Sequence, residues 1–191
     1  MATKPVTRLT EQDYLDLDRA AEYKSEFVGG EMYAMSGGTM RHASLGGNTY
    51  AHFKTLLKGS RCTAFNSDVR VRAKNGEYFY PDVTVVCGPP QTHSDSKDIC
   101  TNPALIVEVL SPSTAAYDRG LKFQLYRTIQ TLKDYLMIHF DAPYVEHYSR
   151  QADDSWVLRE YHGETARLPL PNLECELSLG EIYEGGMELP G

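Results

Sequence analysis

Two hydrophobic rhythms alternate along the chain, and together they predict an α/β fold. Thr10, followed by Glu11, Gln12 and Asp13, has the form of an N-cap with an acid three residues on, and it opens a helix to about Ala21. KSEFVGGEMYAM reads as two short strands around Gly29-Gly30. From about Met40 to Lys58, Leu45, Thr49, Phe53 and Leu56 recur at helical spacing, and Gly59 is the stop. CTAFN, VRVRA and EYFY are strand-like, with Asn75-Gly76 as a tight turn before the last. PDVTVVC and ALIVEVL are almost continuously apolar and β-branched, the pattern of strands buried on both faces. The polar stretch GPPQTHSDSKDICTNP loops between them. After SPST a helix is expected from about Tyr117 to Gln130, with Leu121, Leu125, Ile129 and Leu132 as its stripe and Lys122 at its flank. DYLMIHF, YVEHYS and SWVLREYH are strands, with a hairpin turn between Ser149 and Ser155. The Pro- and Glu-rich tail from Leu168 holds one short apolar pattern, LSLGEIY.

No repeat, low-complexity tract or linker divides the 191 residues. The expectation is one domain: an N-terminal helix and hairpin over 1–36, a core over about 40–150, and C-terminal strands and tail over 151–191. Its fold class is a central mixed β-sheet flanked by helices. No apolar run approaches the ~18 residues of a membrane span, and the acidic N-terminal stretch is not a secretory signal. The four cysteines form no C-x-x-C pair, so reduced thiols in a cytoplasmic protein are expected. The net charge of −7 argues at first against a polyanionic partner. Yet residues 41–75 carry seven basic side chains against one acid. VRVRA places Arg70 and Arg72 on one strand face, which makes them candidate nucleic-acid contacts. A solvated face would look the same.

The chemistry centres on two acids in apolar strands. Asp82 opens DVTVV, and Glu108 interrupts ALIVEVL. A buried carboxylate is costly unless it is paired, hydrogen-bonded or bound to a cation. If the strands are neighbours, the two carboxylates can share a hard divalent ion, and Mg²⁺ fits one or two protein carboxylates plus waters. Lys122 can lean toward the sheet from the edge of its helix, although a snorkelling lysine would sit there too. Tyr126 lies one helical turn beyond it. The histidines have no zinc-ligand spacing, there is no phosphate-binding glycine loop, and Ser111 and Ser113 lack a G-x-S-x-G context. Two carboxylates alone would also suit a glycosidase, which would work without metal.

Taken together, YPDVTVVCG, PALIVEVLSPST and DRGLKFQLYR resemble the Uma2 family of endonucleases within the PD-(D/E)XK superfamily. EVLSPST with its downstream D-R-x-x-K is the specific part, and the likeness runs from EFVGGEMYAMSGGT to LSLGEIY. The resemblance implies a restriction-endonuclease-like fold and Mg²⁺- or Mn²⁺-dependent cleavage of DNA. Asp82, Glu108 and Lys122 would be the catalytic set. The ion would be held by Asp82, Glu108 and the Val109 carbonyl. His42 and Glu31 match family positions near the substrate, although a helix-start histidine with a structural hydrogen bond and a turn-flanking surface acid would look the same. Tyr126, by its place one turn beyond Lys122, is a further candidate near the substrate. The superfamily's usual lysine position is Leu110 here, and the resemblance implies that Lys122 takes over its role. Gly30 stands where an Asp often precedes the Glu31 position, and Leu136 and His139 replace a common Trp and Asp. A homodimer is the expected assembly. The competing expectation is a catalytically silent nuclease-fold module that binds nucleic acid or protein.

Overall fold

The structure, a computed structural model, describes residues 8–35, 37–94 and 96–191. Helix α1 (Glu11–Ala20) starts as expected: the Thr10 hydroxyl accepts from the Asp13 N–H, and the Asp13 carboxylate accepts from the Thr10 N–H. Strands β1 (Ser25–Val28) and β2 (Glu31–Ala34) form the hairpin. Its two turn residues, Gly29 and Gly30, have φ of +62° and +85°. At Gly30 a Cβ would also come within 2.7 Å of the Arg8 Cβ, so the residue that departs from the family pattern answers to the turn. Helix α2 (Met40–Leu56) is capped by Thr39.

Six further strands follow: β3 (Cys62–Asn66), β4 (Arg70–Arg72), β5 (Tyr78–Phe79), β6 (Val83–Cys87), β7 (Ile99–Cys100) and β8 (Leu105–Leu110). Next come α3 (Ala115–Tyr117), a π-helical turn (Asp118–Lys122) and α4 (Phe123–Tyr126). Strands β9 (Asp134–His139), β10 (Tyr144–Arg150) and β11 (Trp156–His162) precede the C-terminal β12 (Arg167–Leu170), β13 (Cys175–Ser178) and α5 (Leu179–Tyr183).

The main sheet has the order β11-β10-β9-β8-β6-β3. Its β8–β9 pair is parallel and its other pairs are antiparallel, so it is mixed as expected. The two apolar runs, β6 and β8, are adjacent interior strands. A second sheet, β2-β1-β5-β4-β7, carries the hairpin. One face of the main sheet packs Val83, Val85, Val107 and Val109 against Leu45 and Phe53 of α2 and against the C-terminal leucines. The other packs Ile106, Leu110 and Tyr135 against Phe123 and Tyr126 of α4 and Val71 and Phe79 of the second sheet. Alternation along β8 therefore turns Glu108 toward this second face.

Four expectations change. The helix after SPST is shorter than its periodicity suggested, and the π turn alters its register. Leu121 is 45% exposed, while Lys122, expected at the flank, is 5% exposed. Ile129 and Leu132 are buried, but beyond the end of the helix. The tail is core: Leu168, Leu170, Leu177, Leu179 and Ile182 are fully buried. Cys62 and Cys87, directly opposite each other in the β3–β6 register, form a disulfide. That corrects the reduced-thiol expectation for this pair and removes the cysteine argument for the cytoplasm. Cys100 and Cys175 are free. Among the described residues, no helix is long and apolar enough to cross a membrane.

Candidate active site

The pairing of Val83 with Val107, carried one residue further, sets Asp82 opposite Glu108. Both acids line a cavity of about 460 Å³, together with Glu26, His42, Val109, Asp118 and Lys122. Asp82 sits just before β6, where its Oδ2 accepts the Val109 N–H at 2.7 Å. Burial pushes its carboxyl above the usual carboxylate range, against the pull of His42, the Val109 N–H and Lys122.

Glu108 is buried within β8. Its Oε1 accepts the Tyr126 O–H at 2.8 Å and lies 3.0 Å from Lys122 Nζ. Burial raises this carboxyl well above its ordinary value; Lys122 opposes the shift, while Asp118, Asp82 and Glu26 add to it. Lys122 Nζ also stands 2.9 Å from Glu26 Oε1 and 3.5 Å from Asp118 Oδ1. Burial alone would lower the ammonium pKa. The three carboxylates more than offset it and hold the lysine charged. Asp118 and Lys122, both in the π turn, are buried together. Its Tyr117 neighbour donates its O–H to Glu26 at 3.3 Å.

His42 comes from the first turn of α2. Its Nε2 is 3.1 Å from the Val109 carbonyl oxygen and 3.5 Å from Asp82 Oδ2. The structure thus gathers Asp82, Glu108, Lys122, Val109 and His42 at one place. Tyr126 is buried behind Glu108 and does not line the cavity, so its expected nearness to substrate becomes a contact that positions Glu108. Glu31 is exposed on β2 and also lies outside the lining; it accepts the Tyr33 O–H at 2.7 Å.

Arg70 and Arg72, the candidate nucleic-acid contacts, are both paired with carboxylates. Arg70 is buried, 3.3 Å from Asp18 and 2.8 Å from Asp98. Arg72 binds Glu11 through two N–H groups. The strand face was read correctly, but carboxylates of α1 cover it. Sequence reading missed Glu26 and Asp118. Asp118 had a signal, its i,i+4 spacing from Lys122. Glu26 had none, since its partner lies far along the chain.

Among the described residues, no three His, Cys, Asp or Glu side chains already enclose a metal position. The donor set nevertheless suits a hard divalent ion: two facing carboxylates and a backbone carbonyl, all oxygen. Four carboxylates share the cavity with one lysine and one histidine, an excess of negative charge that a divalent cation would balance.

The mixed sheet and its flanking helices are of the restriction-endonuclease-like class. The chain belongs to the Uma2 family, whose model, described as "Putative restriction endonuclease", matches residues 11–180. It is 35% identical over 182 residues to "Uncharacterized protein slr1290" of Synechocystis sp. (strain ATCC 27184 / PCC 6803 / Kazusa), covering 95% of this chain and 94% of that protein. It is 38% identical over 161 residues to "Uncharacterized protein sll1609" of the same organism, covering 84% and 91%. The fold is shared with a crystal structure described as a "putative nuclease belonging to DUF820" from Anabaena variabilis ATCC 29413. That match has a TM-score of 0.75 at 17% identity and covers 93% of this chain and 99% of that one.

Proposed function

We propose that this protein is a metal-dependent endonuclease that hydrolyses phosphodiester bonds of DNA. The observation that carries the reading is the floor of the cavity: Asp82 just before β6 and Glu108 on the neighbouring β8, with the Lys122 ammonium 3.0 Å from Glu108. In this reading the Asp82 and Glu108 carboxylates and the Val109 carbonyl hold Mg²⁺ or Mn²⁺. The bound ion would polarise a phosphoryl oxygen and lower the pKa of a coordinated water.

The protein's own groups orient the reaction. The Val109 N–H fixes one oxygen of Asp82, and the Tyr126 O–H and Lys122 fix Glu108. Lys122, kept protonated by its three acids, supplies fixed positive charge near the phosphate as negative charge grows in the transition state. In the same reading His42, against the Val109 carbonyl and Asp82, would contact the phosphate or take part in proton transfer. A homodimer belongs to the same proposal, since a small domain with one cavity acts on one strand at a time. Sedimentation velocity reads that part directly.

The test uses supercoiled, linear and single-stranded DNA, and RNA, incubated with Mg²⁺ or Mn²⁺. EDTA should abolish cleavage, as should Asp82→Ala, Glu108→Ala and Lys122→Ala. Metal-dependent nicking that survives all three substitutions would refute the site. Failure of the wild type to cut any substrate would leave the silent binding module.

A further inference from the structure

The walls of the cavity differ from its floor. Rings and apolar side chains form them: Tyr33, Met35, Tyr80, Pro112, Tyr117 and Phe140. Tyr33 is 50% exposed, and its hydroxyl donates to Glu31. Met35, also exposed, lies just beyond it. Among the described lining residues the basic side chains are Lys122 and His42, and both are engaged with groups of the floor. Arg41, near the mouth, packs its guanidinium 5.0 Å from the Phe140 ring centroid and donates to the Leu189 carbonyl. The exposed Lys54 is ~18 Å from His42 along α2, and Lys58 and Arg61 are farther still.

Continuous duplex is gripped mainly by lysines and arginines on its phosphates. An unpaired strand meets cations along its backbone too, but its bases are free to stack on rings, a contact that the paired bases of continuous duplex do not offer. This cavity offers the exposed Tyr33 ring and no free basic side chain among its described lining residues. Its 460 Å³ falls in the range that encloses a small ligand or one nucleotide.

We propose that the cavity takes one unpaired nucleotide of a DNA strand. Its base lies against Tyr33 and Met35, and its phosphodiester points toward Asp82 and Glu108. The substrate class is then single-stranded or locally opened DNA in preference to continuous duplex. The proposal rests on the nuclease reading for the identity of the polymer.

The test is fluorescence anisotropy with a labelled single strand and the matching duplex, in Ca²⁺, using wild type, Tyr33→Ala and Tyr33→Phe. The single strand should bind about tenfold or more tighter than the duplex, and Tyr33→Ala should weaken it by about 5- to 100-fold while Tyr33→Phe does not. A 2-aminopurine base in the strand should be quenched by wild type and by Tyr33→Phe, but not by Tyr33→Ala. Circular dichroism establishes that each variant is folded. Equal affinity for duplex, or unchanged single-strand binding by Tyr33→Ala, overturns the proposal, and cleavage of duplex in Mg²⁺ would still leave the nuclease reading standing. Ring-dependent binding without cleavage supports the subsite and removes the nuclease. No binding and no cleavage of any DNA overturns both.

Discussion

The Glu26 carboxylate lies 2.9 Å from the Lys122 ammonium and ties the N-terminal hairpin to the π turn. Through the same nitrogen Lys122 also reaches Glu108 on β8, so three separate elements meet at one buried cation. Removing the cation leaves buried carboxylates uncompensated, a loss of about 3–5 kcal/mol in comparable pairs. Lys122→Met should therefore lower the urea unfolding free energy by that order. Adding Glu26→Gln should recover part of it, because one of the stranded charges is gone. The double-mutant cycle should show a coupling of about 1 kcal/mol or more. Strict additivity would mean that the contact carries no energy.

Asp82→Asn separates metal binding from folding. The amide oxygen can still accept the Val109 N–H, while the charge that burial disfavours is removed. Metal-free Asp82→Asn should be at least as stable as wild type. Saturating Mg²⁺ should stabilise the wild type, by about 2.7 kcal/mol at a hundredfold excess over its dissociation constant. The variant should show little of this gain. Differential scanning calorimetry with and without Mg²⁺ measures both. An equal shift in the two proteins would place the ion elsewhere.

The sheet was legible because β6 and β8 are written as unbroken apolar runs, and such runs have few places to go but the middle of a covered sheet. For the same reason Asp82 and Glu108 stood out. What periodicity could not encode was the π turn: it departs from the 3.6-residue repeat, which is why Leu121 faces solvent and Lys122 faces Glu108. The basic stripe of β4 was read correctly as a face, but its cover is α1. Nothing local in VRVRA says that Asp18 and Glu11 will arrive there. Leu168, Leu170 and Leu177 were hidden by the prolines and glutamates between them, though each alternates inward along its short strand.

The Cys62–Cys87 bond closes a loop of 25 residues across β3 and β6. A cross-link over a loop of that length stabilises by about 3.5 kcal/mol in the chain-entropy account. Cys62→Ala should lower the unfolding free energy by about that amount, and Cys87→Ala likewise. Dithiothreitol should reduce the stability of the wild type and leave the variants unchanged. Mass spectrometry after alkylation reports the bond itself. Insensitivity of the wild type to reductant would show that the pair contributes nothing to stability.

His52 gives the fold a predictable acid limb. It is buried on α2, where Nε2 accepts the Ser178 N–H at 3.1 Å and Nδ1 stands 2.8 Å from Glu181 Oε2. That pattern needs a neutral ring with its proton on Nδ1. Burial, with help from Arg167, pushes its pKa below the ordinary 6.5 despite the opposing pull of Glu181. As pH falls below 6.5, the unfolded chain takes up a proton that the folded ring refuses, so stability drops. Above 6.5 the contribution is fully present. His52→Gln, with an amide oxygen to accept the Ser178 N–H, should remove this limb. Urea midpoints taken between about pH 5 and 7.5 should fall more steeply for wild type than for the variant, by up to one proton in slope. Parallel curves for the two proteins would show that His52 does not resist protonation in the fold.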